Sequence, residues 1–459
     1  VFLDNRPETV VAFFAVLKAG GAFLPINPTT RARKLCHLLS HSGSRFVVTD
    51  RRRANLVKQS AAELPELHGV IGVGGTPELP ESWLAIDFAD AASSEAPAEL
   101  PRVIDVDLAA LIYTSGSTGQ PKGGMHTHAS LVSAFTSITM YLENTADDVI
   151  LSVLPLAFVY GLGQVFTAFR VGATLVLENS MMYPAEVLAH AVAEGATGIP
   201  FVPTIAALFL QTDLSQFDFS KLRYMTNAGA PLPEAHLDAL RERLPHVKLF
   251  NMYGQTECIR ASYLPPSQAH VRARSVGMGI PNQEVYVVDA DGNRAAPEVP
   301  GELVVRGSQL MLGYWNMPEE TAAKLRPGDV PGSTVLMTGD LFRTDEEGYL
   351  YFVSRQDDII KTRGEKVAPK EVEEVLYRLD AGAEAAVVGV PDDVLGEVVK
   401  AALVLKEGAA LERRDVLKAC SQELEDFMIP KIVEFRESLP KTDSGKIRRK
   451  DLVDQGDAS

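Results

Sequence analysis

Within Pro7–Gly20 the apolar residues Val10, Val11, Phe14 and Leu17 fall on one helical face. Pro7 suits a first helical position and Gly20 an end, so the spacing predicts an amphipathic helix. Ala22–Ile26 then reads as a strand, Arg31–His41 as a helix and Arg45–Thr49 as another strand. Residues 74–107, rich in Pro, Ala and Glu, read as a surface connection. Leu108–Ile112 is a continuous apolar run bounded by turn residues, the pattern of a buried strand. Beyond it the pattern gives a helix over Ala129–Tyr141 and a strand over Val149–Pro155. A strand from Leu222 runs into the sharp turn Asn227–Pro231, and a helix over Pro233–Leu244 and a strand over Leu249–Met252 follow. This alternation predicts an α/β fold with parallel-type sheets covered by helices on both faces.

The texture changes twice. Across residues 275–353 short β-like runs (Val285–Val288, Gly301–Val305, Tyr349–Val353) alternate with turns, and Asp291-Gly292 and Glu347-Gly348 are hairpin signals, so a compact β subdomain is expected. After Ser354–Lys361 comes a small unit. It has a helix at Pro369–Leu379, strands at Ala385–Val390 and Val399–Lys406, a helix at Arg413–Leu424 and a strand at Lys431–Phe435. About a hundred residues of mixed α+β suffice for an independent domain. The expected division is 1–354 and 355–459. The chain opens at Val1-Phe2-Leu3 as if midway through a buried strand, and is expected to be N-terminally incomplete.

Composition narrows the function classes. The chain has 459 residues, 46% of them hydrophobic, enough for large cores. A formal charge of −16 disfavours nonspecific binding to nucleic acid or to an anionic membrane. Cys36, Cys258 and Cys420 are too scattered for a disulfide framework or a C-x-x-C metal site, and a reducing cytoplasm is expected. No apolar run is long enough to span a bilayer.

The chemistry concentrates in Tyr113–Gly124, directly after the buried strand. Thr114, Ser115, Ser117 and Thr118 supply hydroxyls, Gly116 and Gly119 let backbone N–H groups turn inward, and Lys122 adds a mobile charge. Such a loop can receive a polyphosphate, although its spacing is not that of the P-loop; the alternative is a flexible Ser/Gly linker. Two later strands each end in a small-residue turn, Asn227-Ala228-Gly229-Ala230 and Tyr253-Gly254-Gln255-Thr256-Glu257, which suggests one crevice at the carboxyl edge of a sheet. Thr256 can donate to a phosphate. Glu257 offers a hard oxygen to Mg²⁺, which needs one or two carboxylates when phosphates and waters complete its shell. Phe158, Val159, Tyr160 and Gly161 read equally as core packing and as the wall of a ligand pocket. His126 and His128 read as loop or helix-start residues rather than as a metal site. Asp340, in Thr338-Gly339-Asp340, puts a carboxylate after a strand, either as a local cap or as a partner for a pair of hydroxyls. The basic run Leu439–Lys450 is either a solvated tail or, with Gly445 before Lys446, a tight turn from which a lysine reaches out.

Four separated segments, Tyr113–Gly124, Asn251–Glu257, Thr338–Asp340 with Arg355–Glu365, and Leu439–Lys450, closely resemble in order the signatures of the acyl-adenylate-forming superfamily. That superfamily includes acyl-CoA synthetases, luciferases and the adenylation domains of peptide synthetases. The resemblance implies a large AMP-binding domain and a small mobile lid with a hinge at Asp357. It implies ATP-dependent activation of a carboxylic acid to acyl-AMP with release of pyrophosphate, then transfer to a thiol. Thr114–Gly119 and Lys122 would hold phosphates, and Gly229, Ala230, Asn251, Gly254 and Thr256 would frame the nucleotide, with Tyr253 packing on the adenine. Asp340 and Arg355 would hold the ribose, Glu257 the Mg²⁺, and Lys446 would contact the carboxylate and α-phosphate. Phe158–Gly161 would wall the acyl pocket, and Gly364 would lie near the incoming thiol. Val159 stands where amino-acid-activating members carry an aspartate, so a buried α-ammonium would lack its partner and a fatty, short-chain or aryl acid is expected. The acceptor is CoA or the phosphopantetheine of a separate acyl carrier protein. A nucleotide-binding module without chemistry and, more weakly, a kinase are the rival readings.

Overall fold

The computed structural model describes the chain apart from residues 96–98, 115–120, 363–364, 393–394, 425, 443–444 and 454–459, and describes the backbone alone at 357, 366 and 396. A seven-stranded sheet organises the larger part. Its order is Met278–Gly279, Ser262–Tyr263, Lys248–Tyr253, Tyr224–Asn227, Gly198–Phe201, Val149–Ser152, Thr174–Leu177. The last five strands pair in parallel and the first two are antiparallel additions. Successive residues point to opposite faces. Tyr224 and Phe250 therefore join a core with Phe13, Phe23, Phe135 and Leu162, while Met225 and Leu249 join another with Phe201, Phe209 and Leu240. Helices Pro7–Lys18, His128–Leu142 and Val159–Val171 contribute to the first core, and Pro184–Ala193, Pro203–Gln211 and Glu234–Arg243 to the second. Both faces are covered, as a mostly parallel sheet requires.

The expected α/β class holds, with local corrections. Ala22–Ile26 makes a single bridge, Phe23 to Ala110, instead of a strand. Pro25 lacks the N–H that a continuing ladder needs. The presumed surface connection carries a strand, Leu84–Asp87, which closes a three-stranded parallel sheet with Phe46–Asp50 and Gly69–Val73. The Asp87 side chain then caps the helix Phe88–Ser93 by accepting from the Ala89 N–H. The buried run after residue 107 forms an antiparallel hairpin, Leu108–Thr114 with Lys122–Thr127, and Thr114 opposes Lys122 at its mouth.

The expected β subdomain is a five-stranded antiparallel sheet built on Thr334–Thr344. Glu347 and Gly348 turn between this strand and its partner Leu350–Arg355, with Gly348 at φ 86°. Residues 360–453 form the small unit, a five-stranded sheet centred on Gly382–Asp392 and Gly396–Leu405 with helices Pro369–Tyr377 and Arg413–Glu423 packed on it. It docks on the larger part by identifiable contacts. Lys370 Nζ donates to the Phe352 carbonyl at 3.2 Å, and Arg274 pairs with Glu374 of the small unit at 2.8 Å and with Glu234 at 2.9 Å.

Candidate active site

Two neighbouring strands deliver the first walls of the site. Asn227 and Asn251 are paired residues at the carboxyl ends of parallel strands, and Asn227 Nδ2 donates to Asn251 Oδ1 at 2.9 Å. Asn251 Nδ2 donates in turn to the Ser275 carbonyl at 2.9 Å. The turn after Asn227 passes through Gly229 at φ 91°, a conformation that glycine adopts without strain, and leaves Gly229 and Ala230 accessible.

The second turn is tied to the β subdomain. Tyr253 Oη donates to Asp340 Oδ2 at 2.6 Å, and Gln255 Nε2 donates to the same oxygen at 2.8 Å and to the Thr338 carbonyl at 3.0 Å. Burial, reinforced by the Asp340 carboxylate, holds the Tyr253 phenol well above its ordinary pKa, so it stays a donor. Asp340 is not placed after a strand, as the Thr-Gly-Asp spelling suggested. It sits inside the eleven-residue strand Thr334–Thr344, directly after Gly339 at φ 73°, and is buried. Its register partner is Arg355, whose Nε lies 3.4 Å from Asp340 Oδ1.

Glu257 receives the Tyr314 hydroxyl on Oε1 at 2.5 Å, and Lys122 Nζ stands 5.6 Å from the centroid of the Tyr314 ring. Tyr314 escaped the sequence reading because it lies 57 residues from Glu257. It is placed by the segment 311–315, which runs beside the hairpin: Met125 N donates to the Gly313 carbonyl, Leu312 N to Met125 and Trp315 N to Gly123. His126 is a second residue whose place differs from expectation. It is fully buried in strand Lys122–Thr127, neither in a loop nor at a helix start. Its Nε2 lies 2.9 Å from the Thr256 carbonyl, so that nitrogen carries the proton, and Ser130 Oγ lies 3.4 Å from Nδ1. Burial pushes its pKa down to about 4 and keeps the ring neutral. His128 begins the next helix, as expected.

Lys446 enters this crevice from the small unit. Thr442 and the residue itself close its turn, with Thr442 N donating to the Lys446 carbonyl at 2.7 Å and Lys446 N to Thr442 Oγ1 at 3.1 Å, and Gly445 sits at φ 80°. A β-carbon on Gly229 would lie 3.8 Å from Lys446 Cε, and one on Gly445 3.5 Å from Thr204 Oγ1. Lys446 retains solvent exposure although protein atoms surround it, the situation of a side chain standing in an open cleft. That crowding and the Arg355 guanidinium lower its pKa, while Asp340 and Glu257 act in the opposite sense. The C-terminal basic run is no solvated tail. Arg449 pairs with Glu373 at 2.5 Å and with Asp358 at 3.7 Å, and Leu452 is fully buried.

The segment Phe158–Gly161 is the start of a helix, Val159–Val171, instead of a strand-end loop. Tyr160 Oη hydrogen-bonds Thr226 at its carbonyl (2.6 Å) and its hydroxyl (2.7 Å), so the segment reaches the strand leading to Gly229. Gly161 is buried where a β-carbon would lie 2.2 Å from the Pro155 carbonyl. Ser115, Gly116, Ser117, Thr118, Gly119 and Gly364 lie outside the described residues, as does the side chain of Asp357; the flanking Thr114 and Lys122 are described. Among the described residues no three His, Cys, Asp or Glu side chains cluster as a metal site, and no helix is long and apolar enough to cross a membrane.

Comparison with known proteins bears on this crevice. Residues 1–315 match the family model of the AMP-binding enzymes, and residues 371–446 that of the AMP-binding enzyme C-terminal domain. The chain is 32% identical to a long-chain-fatty-acid–CoA ligase of Bacillus subtilis over 99% of this chain and 85% of that protein. It is 32% identical to a feruloyl-CoA synthase of Amycolatopsis over 96% of this chain and 85% of that one. Among solved structures it resembles ATP-bound MatB from Rhodopseudomonas palustris (TM-score 0.86, 29% identity, 98% of this chain and 87% of that one). It also resembles o-succinylbenzoate CoA synthetase from Bacillus subtilis with its acyl-adenylate intermediate (TM-score 0.83, 28% identity, 100% and 87%).

Proposed function

We propose that this chain, which belongs to the family of AMP-binding enzymes, is an AMP-forming ligase that activates a carboxylic acid with ATP and passes the acyl group to CoA. The observation that carries the reading is the meeting of Lys446, from the small unit, with Gly229 of the sheet-edge turn and with the charges of Arg355, Asp340 and Glu257.

A carboxylate is a poor acyl donor because oxide is a very poor leaving group. Attack of a carboxylate oxygen on the α-phosphorus of ATP breaks the bond to pyrophosphate and gives an acyl-adenylate, whose leaving group is AMP. In this reading Lys446 faces the oxygens on which charge grows during that displacement. A preorganised donor there is typically worth ~3–4 kcal/mol. Asp340, already held by Tyr253 and Gln255, offers its remaining acceptor capacity to the ribose hydroxyls beside Arg355. The Tyr253 ring is available to the adenine, and Gly229 and Ala230 allow the nucleotide to approach the backbone closely. Thr114 and Lys122 flank the loop assigned to the β- and γ-phosphates, and Thr256, steadied through its carbonyl by His126, adds a hydroxyl.

Glu257 fits Mg²⁺: one oxygen takes the Tyr314 hydroxyl and leaves the other for a cation that phosphates and water would otherwise surround. Bound there, Mg²⁺ would offset phosphate charge. In the second half-reaction the thiol sulfur attacks the acyl carbon, the thiol proton is lost and AMP departs. Asp357, in the turn Gln356–Asp358 joining the two parts, is the hinge in this proposal, and Gly364 borders the thiol's path.

The test is product analysis with ATP, Mg²⁺ and a panel of acids. Acid-dependent AMP and pyrophosphate, with a thioester when CoA is added, is the expected result. ADP formation, or no AMP with any acid, overturns the reading. A carrier-protein acceptor would show as thioester formed on phosphopantetheinylated carrier but not on CoA.

A further inference from the structure

Arg260 follows the Glu257 turn and is only 5% exposed. A buried guanidinium ordinarily has a carboxylate or a set of carbonyls around it. Here its Nε has no hydrogen-bond partner, and among the described residues no carboxylate pairs with it. Its neighbours are aromatic: Cζ lies 5.1 Å from the centroid of Tyr160, and the Tyr141 hydroxyl is beside it.

The backbone that aims this side chain is strained. Ile259 adopts φ 62°, an outlier for a β-branched residue, and Arg260 N donates back to the Cys258 carbonyl at 2.5 Å to close a three-residue turn. Gly254 makes the turn possible, since a β-carbon there would lie 2.6 Å from the Ile259 carbonyl and 2.9 Å from Arg260 Cα. Contacts connect this guanidinium to the lysine. Lys446 borders Gly229, the strand before that turn carries Thr226, Thr226 holds the Tyr160 hydroxyl, and Arg260 covers the Tyr160 ring. The cation therefore packs against Tyr160 of the segment Phe158–Gly161, which is assigned to the acyl pocket.

We propose that Arg260 receives a second carboxylate on the acid substrate, so that the site takes short-chain or aryl dicarboxylic acids and adenylates the carboxylate nearer Lys446. The proposal rests on the acid-activating reading above. The planar fork of arginine matches a carboxylate through two parallel N–H donors, and such a partner supplies the missing acceptor at Nε. A monocarboxylic acid of the same length leaves the buried cation unpaired, and a site built for hydrogen bonding discriminates strongly against such an analogue.

The experiment compares matched acids, butanoate with succinate, hexanoate with adipate and benzoate with terephthalate, by acid-dependent AMP formation in the wild type, Arg260→Met and Arg260→Lys. Wild-type kcat/KM is expected to favour at least one diacid by roughly a hundredfold over its partner. In Arg260→Met that ratio should fall to about one, while Arg260→Lys should retain part of it with a raised KM for the diacid. Thermal unfolding checks that each variant is folded. If Arg260→Met fails to fold, the wild-type ratios and Arg260→Lys decide. Wild-type ratios at or below one for every pair overturn the role of Arg260 alone, as does a preference that survives in Arg260→Met. No AMP from either series overturns the ligase reading with it.

Discussion

At the scale of single residues the proposed site gathers the charges of Lys446, Arg355, Asp340 and Glu257. Lys446→Ala should lower acid-dependent pyrophosphate release by roughly a hundred- to a thousandfold while nucleotide affinity, measured by calorimetry, changes only a few-fold. Equal loss of both would remove Lys446 from the displacement step. Tyr314→Phe removes the hydroxyl that holds Glu257, so the Mg²⁺ concentration for half-maximal activity should rise, and an unchanged Mg²⁺ dependence would leave Tyr314 a packing residue. His126 makes a prediction about pH. Its folded pKa lies near 4, below the ordinary 6.5, so the unfolded chain takes up the proton first. Stability from this residue is complete above pH 6.5 and is lost as pH falls toward 4, by about 3 kcal/mol in all. His126→Gln, which keeps a donor for Thr256 without titrating, should lose less stability in denaturant melts over that window. The residues legible in the sequence, Glu257, Asp340 and Lys446, stand in short local spellings. Tyr314 and Arg260 were not legible, and the partner of His126 was not, because each owes its place to a segment or an orphaned atom that only the folded chain brings near.

At the scale of elements, periodicity located most helices and strands but misjudged the places where glycine and proline serve packing instead of turning the chain. Thr338-Gly339-Asp340 reads as a turn, yet the strand continues through it, with a register irregularity nearby at Leu341–Phe342. Pro25 ended a strand that its apolar neighbours suggested, and the strand Leu84–Asp87 went unseen inside a polar stretch because it is an edge strand with little buried surface. Gly161 is the clearest case of a residue whose role lies in its helix. A methyl group there meets the Pro155 carbonyl, which is backbone and cannot rotate aside. Gly161→Ala should therefore lower stability by ~1–3 kcal/mol, read as a fall in the melting temperature. A variant as stable as the wild type would mean that the helix Val159–Val171 shifts freely, and would weaken its use as a pocket wall.

At the scale of the whole molecule, a lysine carried by one unit reaches the sheet-edge turn at Gly229 of another, and the short turn Gln356–Asp358 joins the two. Proline at 357 would fix φ and remove an N–H where the two parts join. Asp357→Pro should spare adenylate formation, followed by pyrophosphate release, and slow thioester formation from preformed adenylate. Wild-type rates in both half-reactions would move the hinge elsewhere. The change of texture after Ser354 led to the expected division at 354, whereas the docking contacts had no counterpart in the sequence reading, because Arg274, Glu234 and Glu374 carry no local sign that they meet. The three cysteines add a consequence of their own. Cys36 lies in the core beside the three-stranded sheet, Cys258 in that of the β subdomain and Cys420 in that of the small unit, and all three are buried. Burial raises every thiol, Cys258 to about 12 and Cys420 to about 11, so none offers much thiolate to an alkylating reagent until its surroundings open. The chain thus carries three native reporters in three different cores, and none in the two cores of the seven-stranded sheet. Mass spectrometry of a timed alkylation would read the order in which these three cores open, with no label introduced.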